Sequence, residues 1–330
     1  MIHPLPPVIE NADGDLRRIG VELELHGLPL ESIADIVAEW TGGERRLLTD
    51  YEAEVSGDDA GLWRVEFDYE YLKNKARKDE HPEGIRKVVD DSAEDLLRLG
   101  AEQILPMEVV SPPFPMDRLS QVDSLIGDLR DAGAKGTRSG LIYAFGTHLN
   151  PELPALDAST ITAYLRAFLC LYPWLRHEAD VDLARRLSQF IEPFDDGYVR
   201  LVCDVDYQPG MDGLIDDYLR ANPTRNRVLD MLPLFAHVDE ARVRGVIDDP
   251  RIKARPTLHY RMPNCEIDRQ GWGIGAIWQD WLQVEHLAAD ESRLREAARA
   301  YTEFLSNTTA RLLNDWSSEV ERWLVPVDGQ

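Results

Sequence analysis

Between Ile19 and His26 the chain alternates between apolar residues and residues able to ligate a cation. Ile19, Val21, Leu23 and Leu25 stand against Glu22, Glu24 and His26. A period of two is the side-chain period of a β-strand, so each set shares one face. Carboxylates held side by side repel, and burying them is costly unless a cation or water offsets the charge. The run therefore reads either as half of a divalent-metal site or as the solvated face of an edge strand.

Further segments carry similar chemistry. Trp63, Val65, Phe67 and Tyr69 alternate with Arg64, Glu66, Asp68 and Glu70. Met107-Glu108-Val109-Val110 sets one acid in an apolar strand that stops at Ser111-Pro112-Pro113. The stretch from Ile142 to Asn150 is apolar until His148 and Asn150 share a face. Thr257 to Met262, between Pro256 and Pro263, places His259 and Arg261 together. Each segment has a plain structural explanation, and His148 alone reads equally as a satisfied core histidine. Combined in one sheet, the polar faces suit divalent cations that bridge phosphate oxygens, with an arginine to hold phosphate.

The elements that must position these residues are mixed. A strand at 17–26 leads to a helix at about 30–41, with Ile33, Ile36, Val37 and Trp40 in one stripe and Gly42-Gly43 as its stop. Residues 45–56 and 62–72 read as a hairpin, and 84–99 as a helix ending at Gly100. A helix starting at Pro115 or Asp117 turns Leu119, Val122, Ile126 and Leu129 inward. The loop from Lys135 to Gly140 is glycine-rich and cationic but lacks the Gly-Lys-Ser/Thr ending of a P-loop. Asp157 or Ser159 caps a helix running towards Trp174, with Pro173 expected to kink its end. Residues 212–221 and 225–247 read as helical, with Pro233 as an interruption, and a long apolar stripe runs through 291–324. No regular βαβ rhythm is present, so the expected fold is α+β: a largely antiparallel sheet covered by helices, with a helical C-terminal part.

Gly-Val-Glu-Leu-Glu at 20–24, Glu-Val-Val-Ser-Pro-Pro at 108–113, Gly-x-His-x-Asn at 146–150 and Thr-x-x-x-Arg at 257–261 together resemble the amidoligase family. The motifs span Gly20 to about Glu266, and their order and spacing carry the resemblance. It implies an ATP-dependent carboxylate–amine ligase with a sheet of the glutamine synthetase and glutamate–cysteine ligase type. It implies ATP and Mg²⁺ or Mn²⁺ as cofactors, and an amide formed through an acyl phosphate. It makes Glu22, Glu24, Glu108 and His148 metal ligands, and Arg261 a phosphate-binding catalytic residue. Glu66 or Asp68 would be the acid of the second strand. His259 stands where the family carries a metal-binding Glu, with Glu266 as the alternative donor, and imidazole suits Mn²⁺ better than Mg²⁺. Arg138, Asn150 and Asn264 would contact substrate or phosphate. A catalytic domain would then cover 1–270, with a helical insertion at about 157–250, and 271–330 would add helices to it. Two other readings stand beside the ligase. One is a metal- or nucleotide-binding module whose catalysis is lost; the other is a guanidino-kinase-like phosphotransferase.

Composition narrows the partners. A net charge of −24 over 330 residues argues against nucleic acid or an anionic membrane. The expected partners are small-molecule or peptide carboxylates and amines, with a homo-oligomer left open. No apolar run approaches the roughly 20 residues needed to span a bilayer. Met1 to Pro7 shows neither a basic nor an apolar signal region, so a cytoplasmic location is expected. Cys170, Cys203 and Cys265 form no metal or disulfide pattern, and burial is the expectation for Cys170 and Cys265.

Overall fold

The computed structural model describes residues 2–67, 107–137, 145–179, 192–307, 309 and 315–326. Asp68, Glu70, Arg138, the helix expected at 84–99 and residues 142–144 of the expected fifth strand lie outside the described residues.

The described residues form an α+β fold on a nine-stranded open sheet. The strands are β1 (Arg18–Leu25), β2 (Arg45–Thr49), β3 (Glu52–Asp58), β4 (Gly61–Phe67) and β5 (Met107–Val110). Then come β6 (Phe114–Pro115), β7 (Thr147–Pro151), β8 (Leu229–Asp230) and β9 (His259–Tyr260). They lie in the order β2-β3-β4-β5-β1-β7-β9-β8, with β6 also on β1, and every pair is antiparallel. β1 is central because its odd-numbered face is wholly apolar: Ile19, Val21, Leu23 and Leu25 are at most 1% exposed.

That face is covered by helices. α1 (Leu30–Thr41) buries Ile33, Ala34 and Val37 and packs on β3 and β4. It stops at Gly42, whose φ of 69° is left-handed and whose N–H bonds the carbonyls of Ala38 and Glu39. α2 (Val122–Asp131), after a 3₁₀ turn at Met116–Gln121, buries Leu125, Ile126 and Leu129. α3 (Ala158–Glu178) and α8 (Ile274–Ala289) lie under β9, where the Tyr260 ring meets Phe168 at 5.8 Å and Trp281 at 5.1 Å. α4 (Asp196–Cys203), α5 (Met211–Ala221), α6 (Leu232–Val238) and α7 (Glu240–Arg244) follow α3 along the chain before β9, with β8 between α5 and α6. α9 (Glu291–Ser306) and α10 (Trp316–Val320) follow α8. Among the described residues no helix is long and apolar enough to cross a membrane.

Several elements differ from expectation. Residues 45–56 are two strands, because the chain turns at Asp50-Tyr51, where the Tyr51 N–H bonds the Thr49 hydroxyl at 3.1 Å. α3 runs through Pro173 to Glu178. Its buried stripe continues from Leu169 and Leu171 to Leu175, and this packing outweighs the hydrogen bond that proline cannot donate. The helix expected at 225–247 begins with β8 instead. Pro233 lies in the first turn of α6, where a missing N–H costs nothing. The strand around His259 is only two residues long, with an isolated bridge from Thr257 to Glu152.

Candidate metal and phosphate site

Strand register gathers the polar face. In an antiparallel ladder directly opposed residues are roughly 4.5–5.5 Å apart at Cα and point the same way. Glu22 opposes His148, and Glu24 opposes Glu108. Glu108 opposes Glu66, and Glu66 opposes Glu52, so one row of carboxylates crosses four strands. Gly20 opposes Asn150, and a Cβ there would already lie 3.4 Å from that side chain. Asp230 opposes His259 on the far side.

His148 is the hub. Its Nδ1 lies 2.8 Å from Glu22 Oε2 and 3.8 Å from Glu108, and its Nε2 lies 3.2 Å from Glu24 Oε1. Glu22 Oε1 accepts from Asn150 Nδ2 at 2.9 Å, with Arg255 at 3.6 Å. Glu24 Oε2 accepts the Gly146 N–H at 2.5 Å. Asn150 Oδ1 receives Arg255 Nη2 at 2.7 Å and lies 2.7 Å from His259 Nδ1. Arg255 Nη2 lies 3.0 Å from the same Nδ1, so the ring's tautomer sets which nitrogen is free for a cation. Two sets, Glu22-His148-His259 and Glu24-Glu108-His148, bring their donor atoms within 4.8 Å of one another. They share His148, and this mix of oxygen and imidazole donors fits a divalent ion.

The charges are tuned by contact. Burial opposes ionisation of Glu22, but His259, His148 and Arg255 reverse this and hold the carboxyl well below its usual range. Burial likewise opposes the charge on His148, yet Glu24 and Glu22 raise its pKa above the ordinary value. His259 is pushed well down by burial, with Arg255 and His148 adding to it against Glu22. These contacts favour the imidazolium at His148 and the neutral imidazole at His259. Burial lifts Asp230 to about 6 although Arg261, Arg225 and Arg255 favour its charge.

A cavity of about 380 Å³ opens over this face. One wall carries Glu22, Glu66 and Glu108, with Arg64 beside them. The other carries Arg225, Arg251, Lys253 and Arg255. The second wall was missed in the sequence, although Arg251, Lys253 and Arg255 alternate there with Ile252 and Ala254. Ile252 is buried, which leaves the cations turned outward. Arg261 is not among the lining residues; its Nη1 donates to the carbonyl of Arg225, which is. Asn264 pairs with Gly146 in an isolated bridge and donates to the Ala179 carbonyl at 3.3 Å, away from the cavity lining. His26 pairs with Lys135 through the backbone, and its ring lies tilted 5.3 Å from that of Phe145. All three cysteines are buried free thiols.

The antiparallel sheet thus sets a carboxylate–imidazole cluster on one face, with four cationic side chains lining the same cavity. The family model described as "putative amidoligase enzyme" matches residues 15–283, and the chain belongs to that family. No curated protein and no solved structure matches the chain.

Proposed function

We propose that the chain is an ATP-dependent carboxylate–amine ligase with a sheet of the glutamine synthetase and glutamate–cysteine ligase type, working with Mg²⁺ or Mn²⁺. One observation carries this reading: two ligand sets sharing His148 lie beside a wall of four cationic side chains. Glu22, Glu24, Glu108, His148 and His259 would hold the metals. Bound there, divalent ions neutralise phosphate charge that otherwise repels an incoming carboxylate.

The chain's own groups do the rest. Arg225, Arg251, Lys253 and Arg255 would grip the phosphates, the guanidinium groups in forked contacts. Arg261 would hold the Arg225 segment in place through its carbonyl. A free carboxylate has no leaving group, so transfer of the γ-phosphoryl group to it gives an acyl phosphate. The amine then attacks the acyl carbon, the C–O bond breaks, and phosphate leaves. Glu66, one strand beyond Glu108, would take the proton that the amine loses.

The test is ADP release from a panel of carboxylates and amines with Mg²⁺ or Mn²⁺, with hydroxylamine as a trap. A ligase gives amine-dependent ADP release and a hydroxamate in the trap. A phosphorylated product that resists hydroxylamine would identify a phosphotransferase, and no ATP turnover with any pair would identify a catalytically degenerate module.

A further inference from the structure

A second cavity, of about 350 Å³, lies among the helices. None of its lining residues lines the cavity over the sheet. Its walls come from the first turns of α3, residues 205–209 and the start of α9, and its size is that of a small-ligand site.

Thr162, Arg166 and Arg295 are among the residues that line it. Thr162 is 4% exposed, and its Oγ1 is buried with no hydrogen-bond partner. A buried hydroxyl left so is destabilising, and Thr162 is one of the residues that line the cavity. Arg166, one turn further along α3, gives Nε to the Val202 carbonyl at 2.7 Å. Its Nη2 goes to the carbonyls of Asp204 and Tyr207 at 3.1 and 2.7 Å. Among the described residues these carbonyls, not a carboxylate in ion-pair contact, answer its charge. Burial lowers its pKa, and neighbouring Arg295 lowers it further against the nearby thiols and Asp204. Arg295 meets Glu291 at 3.0 Å, but that carboxylate is 86% exposed and readily displaced. Val205, Pro209 and Leu294 supply apolar surface to the same cavity.

We propose that this cavity binds a small organic anion: the oxyanion sits between Arg166 and Arg295 with a hydrogen bond from Thr162, and the hydrocarbon part lies on Val205, Pro209 and Leu294. A bound oxyanion would partner the orphan hydroxyl and offset two cations at once.

Calorimetric titration of the full chain with hexanoate, hexyl phosphate, hexanol and inorganic phosphate tests this. It needs no ATP turnover, so its outcome is independent of the ligase reading. Hexanoate or hexyl phosphate should bind saturably at one site, and the stronger of the two identifies the headgroup. Hexanol and inorganic phosphate should each bind at least about tenfold more weakly, each lacking half of the recognition. Thr162→Val should weaken binding about fivefold to tenfold while its melting temperature holds or rises, because it removes an unpartnered hydroxyl. Arg295→Gln should weaken binding about tenfold, and Glu291→Gln, which removes the competing carboxylate, should tighten it. Hexanol binding as tightly as hexanoate would overturn the proposal. So would unchanged affinity in Thr162→Val and Arg295→Gln, or no saturable binding by any of the four probes.

Discussion

At the scale of single residues, Asn150 decides how the centre is held. Its amide nitrogen bonds Glu22, and its oxygen faces both Arg255 and His259. Partners that orient ligands without binding metal are typically worth about 10–100-fold in metal affinity. Asn150→Ala should therefore weaken Mn²⁺ binding by about that factor, measured by titration calorimetry, with the fold retained by circular dichroism. His148 adds a pH dependence. Its pKa is raised in the metal-free protein by Glu24 and Glu22 against burial. The stability its proton confers is complete below the ordinary histidine range and is lost as pH rises through the raised value. A metal ion must displace that proton. Metal affinity should therefore climb with pH, by up to about tenfold per unit below the raised pKa, and level off above it. A flat affinity–pH profile in Mn²⁺ titrations would remove His148 from the ligand set. His259 gives the complementary test. Replacement by Glu adds a negative charge and a harder donor, so His259→Glu should move metal preference from Mn²⁺ towards Mg²⁺. Equal preference in both proteins would show that position 259 does not ligate.

At the scale of elements, the cationic wall is a short alternating segment, Arg251, Lys253 and Arg255, anchored by buried Ile252. Arg255 reaches both Asn150 and Glu22, so it joins the wall to the candidate metal ligands. Arg255→Lys keeps one charge but loses the fork that spans two partners. If the proposed ligase reading holds, it should raise the KM for ATP about tenfold or more, whereas Lys253→Arg should change it little; steady-state ADP release separates them. The same elements show what the sequence made legible. Alternation marked β1 and β4, and a single acid in an apolar run closed by Ser111-Pro112-Pro113 marked β5. These patterns also placed Glu22, Glu24, Glu108 and His148 on faces that the register then opposes. What stayed hidden was set by tertiary contact. β8 is two residues long, too short for periodicity to show, and the strand expected at 257–262 shortens to the two residues of β9. Asp230 and the Arg225–Arg255 wall enter the site only because β9 pairs with β7, a relation between positions about 110 residues apart.

At the scale of the molecule, the sheet and helical layer are tied by one buried ion pair that does not line the cavity over the sheet. Arg17 and Glu285 are both 0% exposed and meet through two bonds of 2.8 Å. Every remaining capacity is used. Arg17 also donates to the carbonyls of Val8 and Glu152, while Glu285 accepts from Tyr164 at 2.6 Å and Trp281 at 3.0 Å. The network thus joins the residues entering β1, the end of β7, and helices α3 and α8. Removing one member strands the other without a partner, which costs about 3–5 kcal/mol, whereas replacing both with apolar residues of similar volume is often neutral. Glu285→Leu should accordingly lower stability by about 3–5 kcal/mol in urea unfolding. The double variant Arg17→Met, Glu285→Leu should recover a substantial part of that loss, limited by the carbonyls, Tyr164 and Trp281 that lose their bonds. Because neither residue lines the cavity over the sheet, metal affinity at Glu22 and His148 should be unchanged in the double variant wherever it is folded. A double variant no more stable than Glu285→Leu would mean that Arg17 is tolerated there by its carbonyl contacts alone, and that the pair is not what locks the helices to the sheet.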